Sequence, residues 1–107
     1  MWKRENKKLS MDEGDFGVGL LTKIKGGSLP SGVKVKFWIK KFVNNDRIEI
    51  LNKTYDVVDN TFNLSLTKEE SDLLPSGCYT YGVELFKEGN FLNTIVNNEE
   101  FKVKDKE

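Results

Sequence analysis

One stretch, residues 64–85, constrains the fold of this chain more than any other. It opens at the end of a segment in which apolar and polar residues alternate, a pattern that predicts a β-strand. Thr67 is followed three residues later by a glutamate, the spacing of a capping box, which predicts one short helical turn at residues 67–74. Pro75 cannot extend that turn, and Gly77 allows the backbone to reverse. Because a second alternating strand follows, the stretch predicts a corner between two sheets of a β-sandwich.

Strand patterns recur through the rest of the chain. The clearest is segment 33–43, where Val33, Val35, Phe37 and Ile39 alternate with lysines and a tryptophan. The other predicted strands are segments 16–25, 47–51, 54–58, 91–96 and 99–104. About seven or eight short strands at this spacing predict an all-β sandwich or barrel. Residues 1–8 are predicted as an N-terminal tail, residues 9–104 as the single domain and residues 105–107 as a polar tail.

Charge and length limit the classes of function. The 107 residues suit one domain, and 17 basic residues balance 17 acidic ones. Zero net charge gives no electrostatic reason to expect nucleic acid or an anionic membrane as a partner. No apolar run approaches the length of a membrane-spanning helix, and no signal-peptide core follows the basic N-terminus. We therefore expect synthesis in a bacterial cytoplasm without a signal peptide.

The residues that usually carry catalysis are scarce. The chain has no histidine, which removes the commonest general base and metal ligand. Its one cysteine, Cys78, excludes an internal disulfide and is predicted to be a small buried apolar residue. The acidic cluster at residues 12–15 lacks the spacing of a calcium loop and is predicted to be a solvated lead-in to a strand. No catalytic, cofactor-binding or metal-binding residue is predicted, and the protein is not expected to be an enzyme.

Three aromatic side chains are the candidate interface residues: Trp2, Trp38 and Phe86. Trp38 is predicted to point outward among lysines, where it either lies partly covered on a guarded sheet face, contacts another protein or stacks on a ligand. Trp2 lies in an otherwise polar segment, so it is expected to dock on its own domain or on a second subunit. Phe86 is the third candidate because the alternation of its strand does not place it on the face that is directed to the core.

The corner also carries a resemblance to a known family. Part of the pattern lies in the lead-in at residues 9–18 and in the strand at residues 35–40. Its other residues are Phe62, Leu64, Leu66, Thr67, Glu70, Leu73, Pro75, Gly77, Tyr79 and Tyr81, with Glu100-Phe101-Lys102-Val103 near the end. This pattern resembles small Ig-like domains of phages and prophages of Gram-positive bacteria, including the N-terminal domain of baseplate upper proteins. Gly82 departs from it, since many relatives carry an acidic residue there.

The resemblance implies a single Ig-like antiparallel β-sandwich that acts as a virion structural module of a tail, baseplate or fibre. It implies no enzyme and no cofactor. The expected partners are other virion proteins or further copies of the chain, joined through apolar anchors rather than charge. The alternative is a carbohydrate- or host-receptor-binding module, which would need two or more aromatic side chains on one sheet face.

Overall fold

Eight strands and one helical turn form the part of the chain that the computed structural model describes, residues 2–17, 19–25 and 29–105. The elements are β1 (Lys3–Glu5), β2 (Lys8–Asp12), β3 (Leu20–Lys23), β4 (Val33–Val43), β5 (Asp46–Asp56), β6 (Thr61–Leu64), α1 (Lys68–Ser71), β7 (Gly77–Lys87) and β8 (Asn90–Lys104). The predicted all-β fold with one short helical turn is confirmed.

The strands form two sheets of unequal width. The larger sheet has six strands in the order β1-β2-β8-β7-β4-β5, and the smaller sheet pairs β3 with β6. The prediction of a purely antiparallel arrangement is wrong at one place, because β2 runs parallel to β8. No hairpin joins these two strands, so no tight turn imposes the antiparallel direction on them.

The core lies between the sheets, on the inner face of the larger one. The predicted alternation of β4 holds, since Val35, Phe37 and Ile39 are fully buried. Phe101 of β8 packs near Tyr81 of β7, with ring centroids 6.2 Å apart. The opposite layer is formed by apolar residues of the smaller sheet and of the segment around α1: Ile24, Phe62, Leu64, Leu66 and Leu74.

The corner forms as its sequence predicts. Thr67 Oγ1 accepts a hydrogen bond from the Glu70 amide at 3.2 Å, and the Glu70 carboxylate accepts one from the Thr67 amide at 2.8 Å. This reciprocal pair is the capping box, and it begins α1. At the far side of the turn, the Tyr79 hydroxyl donates to the Pro75 carbonyl at 2.6 Å. The bond resembles the tyrosine corner of Ig-like sandwiches, and it ties β7 to the turn before it.

The N-terminal segment differs from the predicted tail. Residues 3–5 form β1, which pairs antiparallel with β2, and Trp2 is buried in the core cluster. All three side chains of β1 are exposed. A strand at the sheet edge held by backbone bonds leaves no apolar alternation in the sequence, and this is why the pattern missed it. Of the predicted C-terminal tail 105–107, residues 106 and 107 lie outside the described residues.

Several strand boundaries also differ from prediction. Segments 47–51 and 54–58 join into β5, which ends at Asp56, and segments 91–96 and 99–104 join into β8. In β8 a register shift opposite Tyr81 and Val83 takes up the Asn97-Asn98 pair that resembled a turn. In β5 the residues that resembled a break, Asn52 and Lys53, pair regularly with Trp38 and Phe37 of β4. β3 spans only four residues of the predicted strand 16–25, in which residue 18 is outside the described part.

Candidate interaction surfaces

Trp38 lies on the outer face of the larger sheet but is almost completely covered. Its side chain is 6% exposed, and its register partner on β7 is Gly82. A Cβ atom built on Gly82 would lie 1.8 Å from Trp38 Cζ2, so the indole lies directly against the glycine backbone. The Lys40 ammonium lies 5.4 Å from the ring centroid on the same strand. The outward direction predicted for Trp38 is correct, whereas an accessible indole is not found.

Trp2 is also 6% exposed, but on the core side. Its ring meets Phe101 edge-on, with centroids 5.6 Å apart and planes at 79°. Of the two docking places left open by the sequence, the structure shows the chain's own domain. The interface role of Trp2 and Trp38 stays a prediction, and in this conformation neither indole offers a large accessible area.

Phe86 is half-buried on the outer face, where it pairs with Phe91 across the β7–β8 hairpin. Phe91 is 62% exposed. A shallow cleft touches both rings and is also lined by Lys36 and Glu84. Among the three candidate interface residues, Phe86 is therefore the one next to an accessible aromatic surface.

A second apolar surface, which the sequence analysis missed, lies at the end of the β4–β5 hairpin. We call it the hairpin tip and define it as Phe42, Val43 and Ile48, which are 61%, 36% and 47% exposed. Phe42 pairs with Arg47 and Ile48 pairs with Lys41, so neighbouring register positions direct these side chains to opposite faces of the hairpin. The sequence signal was the adjacent apolar pair just before the Asn-Asn turn.

A cleft of about 350 Å³ opens between the sheets along the edge of β3. Its apolar walls come from both sheets and include Leu9, Phe62, Val83 and Val96. The Tyr81 hydroxyl, which also lines it, donates a hydrogen bond to the Lys7 carbonyl. Burial raises the pKa of Tyr81 to about 12, so this hydroxyl keeps its proton at neutral pH. The sequence alone did not reveal this cleft, because its walls come from segments far apart in the chain.

Within the described residues, the side chains that could carry catalysis or bind a metal, such as Cys78 and the acidic cluster at residues 12–15, do not converge on one site. Cys78 is exposed, and the prediction of a buried cysteine is wrong. It precedes the inward Tyr79 on β7, and the alternation of a strand directs it outward. In the acidic cluster, Glu13 accepts a hydrogen bond from the Ser76 amide at 2.9 Å, an interaction that holds the lead-in against the corner. No group of three or more metal-ligating side chains occurs within residues 2–17, 19–25 and 29–105.

The fold and these surfaces define a small all-β sandwich with exposed apolar residues on its hairpins and a cleft between its sheets. Comparison with protein-family models, curated proteins and solved structures finds no match in any of the three. The one helix in the described part of the chain, α1, is too short to cross a bilayer.

Proposed function

We propose that this chain is a non-enzymatic structural module of a phage or prophage virion, part of a tail, baseplate or fibre, and that it works through protein–protein assembly. The virion assignment is supported by the resemblance of the corner. The assembly role is supported by one observation above the others, the exposed apolar hairpin tip. Exposed apolar side chains grouped at one place and bordered by charged residues are typical of protein interfaces.

The hairpin tip has the features of an anchor. Phe42 supplies an aromatic ring on one face, and Ile48 supplies a branched aliphatic group on the other. Arg47 and Lys41, their register partners, place cationic groups beside them. A hairpin with apolar groups on both faces fits a groove in a partner, where burial of an aromatic anchor contributes more than rim charges do.

The test uses the intact chain in the particles of its source. We expect mass spectrometry to find the chain in density-purified virions. We expect the double variant Phe42→Ser/Ile48→Ser to be incorporated at least about tenfold less than the wild type, the loss given by one or two anchor residues. Val58→Ser is the matched control, since Val58 is 67% exposed and follows β5 at the end opposite to the tip. Leu73→Ser, at a residue that is 53% exposed and follows α1, is a second control outside the β4–β5 hairpin. Absence of the wild-type chain from purified particles would contradict the virion assignment.

The candidate interface residues receive a separate test. Size-exclusion chromatography with light scattering measures whether the chain forms homo-oligomers. Trp38→Ala and Phe86→Ser are expected to reduce partner incorporation or self-association if the outer face is the contact. If both variants assemble as the wild type does, these two residues are not interface anchors, and the hairpin tip remains as the proposed contact.

A carbohydrate- or host-receptor-binding function is the second candidate, favoured by one observation. Phe86 and Phe91 lie side by side on the outer face, where aromatic rings can stack on a sugar, and Lys36 and Glu84 border their cleft. Glycan-array binding that is lost in Phe91→Ser but kept in Leu73→Ser would promote this candidate above assembly. No binding to any glycan would remove carbohydrate binding from this candidate.

A further inference from the structure

The smaller sheet is incomplete beside β3. Within the described residues β3 pairs with β6 and with no other strand, whereas the sheet opposite has six strands. Apolar side chains of the larger sheet, Val83, Ile95 and Val96, therefore line the open cleft beyond the edge of β3. The cleft of about 350 Å³ lies where a third strand of the smaller sheet would run.

The backbone of β3 directs hydrogen-bonding groups toward this cleft. The Ile24 amide donates to the Asn60 carbonyl at 2.7 Å, and Lys23 is the register partner of Thr61. In an antiparallel pair the bonded and non-bonded positions alternate, so the amide and carbonyl of Lys23 point away from β6. The same alternation directs those of Leu21 away from β6. An edge of this kind is a template for an added strand.

The side chains around the cleft specify the charge of its occupant. Four cationic residues line it: Arg4, Lys7, Lys23 and Lys25. Its described lining includes no Asp or Glu. The chain as a whole is electrically neutral, so this concentration of positive charge is local. It favours an anionic partner and disfavours a cationic one.

The register of β3 adds a pattern to that charge. Thr22 and Ile24 share the face of Phe62 and the core, and Lys23 and Lys25 alternate with them. Lys25 lies two residues beyond Lys23, the last residue of β3, and an extended backbone separates such residues by about 7 Å, the spacing of alternate residues in a neighbouring strand. A strand beside β3 would therefore direct apolar side chains into the cleft and acidic ones toward the two lysines.

We propose that this cleft binds an extended acidic peptide segment of a partner protein, which adds to the edge of β3 as a third strand with alternating acidic and apolar residues. The peptide backbone forms hydrogen bonds with the backbone of Lys23, and the apolar side chains of the peptide pack on Val83 and Val96. Its carboxylates form ion pairs with the ammonium groups of Lys23 and Lys25. The inference deepens the proposed assembly function, because it names the partner's chemistry, and it rests on that function only for the partner being a protein.

The probe is a fluorescein-labelled nine-residue peptide of alternating aspartate and valine, measured by fluorescence anisotropy with the full-length chain. We expect saturable binding that weakens with added salt, as charge complementarity requires. The same peptide with alternate backbone nitrogens methylated keeps its charge and loses edge hydrogen bonds. We expect it to bind at least about tenfold more weakly, the effect of losing one or two backbone bonds.

Two protein variants separate charge from strand addition. Lys23→Ala removes one positive charge, and Lys23→Pro removes the same charge together with the outward amide. We expect Lys23→Pro to bind about tenfold more weakly than Lys23→Ala. Circular dichroism checks that the proline variant is folded. If it is not, Lys23→Glu/Lys25→Glu replaces it, since both side chains are exposed, and a loss of more than about tenfold is expected.

Three results would overturn the proposal. One is no peptide binding at concentrations up to about 1 mM, a very weak affinity. Another is equal affinity of the methylated and unmethylated peptides, which would make the contact electrostatic only. The third is that dodecanoate displaces the peptide and binds the Lys23→Pro and Lys23→Ala variants with equal affinity. This result would assign the cleft to small amphipathic anions. None of these results changes the particle experiment on the hairpin tip, so the two proposals fail separately.

Discussion

The two tryptophans are buried to the same degree, 6% exposed each, but by different means. Trp2 joins the core cluster, where its ring packs edge-on against Phe101. Trp38 lies on the outer face of the larger sheet, against the backbone of Gly82 and near the Lys40 ammonium. Trp2 is enclosed between the two layers of the core. Trp38 can lie against the neighbouring strand only because Gly82 has no Cβ atom.

This difference separates two kinds of burial. In the close-packed core a buried side chain contacts many neighbours at once. Its removal therefore costs the contacts of that side chain and leaves a cavity in its place. On the outer face one added methyl group on the neighbouring strand is enough to displace the whole indole. Equal exposure therefore does not mean equal robustness, and four experiments test this comparison.

The largest expected effect is that of Trp2→Ala. Removal of a buried indole loses its transfer free energy and leaves a cavity beside Phe101, so the free energy of unfolding should fall by about 3 kcal/mol. Urea denaturation followed by circular dichroism measures it. Lys3→Ala, on the exposed side of β1, is the control and should change stability by less than about 0.5 kcal/mol. A loss below about 1 kcal/mol for Trp2→Ala would show that Trp2 is not docked in solution.

Gly82→Ala should have the next largest effect. Its Cβ would lie 1.8 Å from Trp38 Cζ2, so the indole must leave its place and enter water. The cost should be about 2 kcal/mol, the value of exposing a large apolar side chain. In a Trp2→Phe background Trp38 is the only tryptophan, and its fluorescence should shift to longer wavelength. In a Trp38→Ala background the same glycine substitution should cost much less. Equal costs in both backgrounds would contradict the proposed packing.

A pair of lysines tests the same contrast between the two faces. Lys53 is 20% exposed and donates hydrogen bonds to the Glu70 carboxylate at 2.8 Å and the Ser65 carbonyl at 3.1 Å. Lys53→Met should lower the free energy of unfolding by about 1.5 kcal/mol, because a partly buried carboxylate loses its charged partner. Lys40→Met, which loses only a contact with Trp38, should cost about 0.5 kcal/mol. Equal losses of unfolding free energy in Lys53→Met and Lys40→Met, measured by urea denaturation, would contradict the difference between the inner and outer faces of the larger sheet.

The smallest effect is on pH dependence. Burial raises the pKa of Glu70. Its hydrogen bond and its charge interaction with Lys53, together with hydrogen bonds at Thr67, lower the pKa by more, so that the net pKa lies below the ordinary value of 4.5. A carboxyl group with a lowered folded-state pKa stabilises the fold above pH 4.5, and this contribution is lost as the pH falls through the folded-state pKa. Stability measured from pH 6 to pH 3 should therefore fall less steeply in Lys53→Met. Lys40→Met should keep the wild-type slope.

The corner and the central strands were predictable because their determinants are local. The Thr67 capping box, the turn at Pro75 and the alternation of β4 each lie within a few neighbouring residues, and all three form as predicted. Local pattern also contained the answer for Cys78, whose place before the inward Tyr79 directs it to the outer face. The residue type points the other way, since free cysteines are usually buried, but the alternation of β7 decides the exposure of Cys78.

The candidate surfaces were less predictable, because each depends on strands that are distant in sequence. The hairpin tip had a local signal in its adjacent apolar residues, and the pairing of Phe86 with Phe91 follows from one hairpin. The cover of Trp38 requires Gly82 on the neighbouring strand, and the cleft beside β3 requires walls from both sheets. No pattern within a short window contains either arrangement.

The sequence by itself therefore determined the class of fold, the capped corner and the inward face of the central strands, since hydrophobic periodicity and turn chemistry act over a few residues. Only the tertiary structure decided that residues 3–5 form an edge strand and that β2 runs parallel to β8. It also decided that, within the described part of the chain, β3 pairs with β6 alone. These features arise from backbone pairing between distant segments. Backbone groups are the same in nearly every residue, so such pairing leaves little trace in the side-chain pattern.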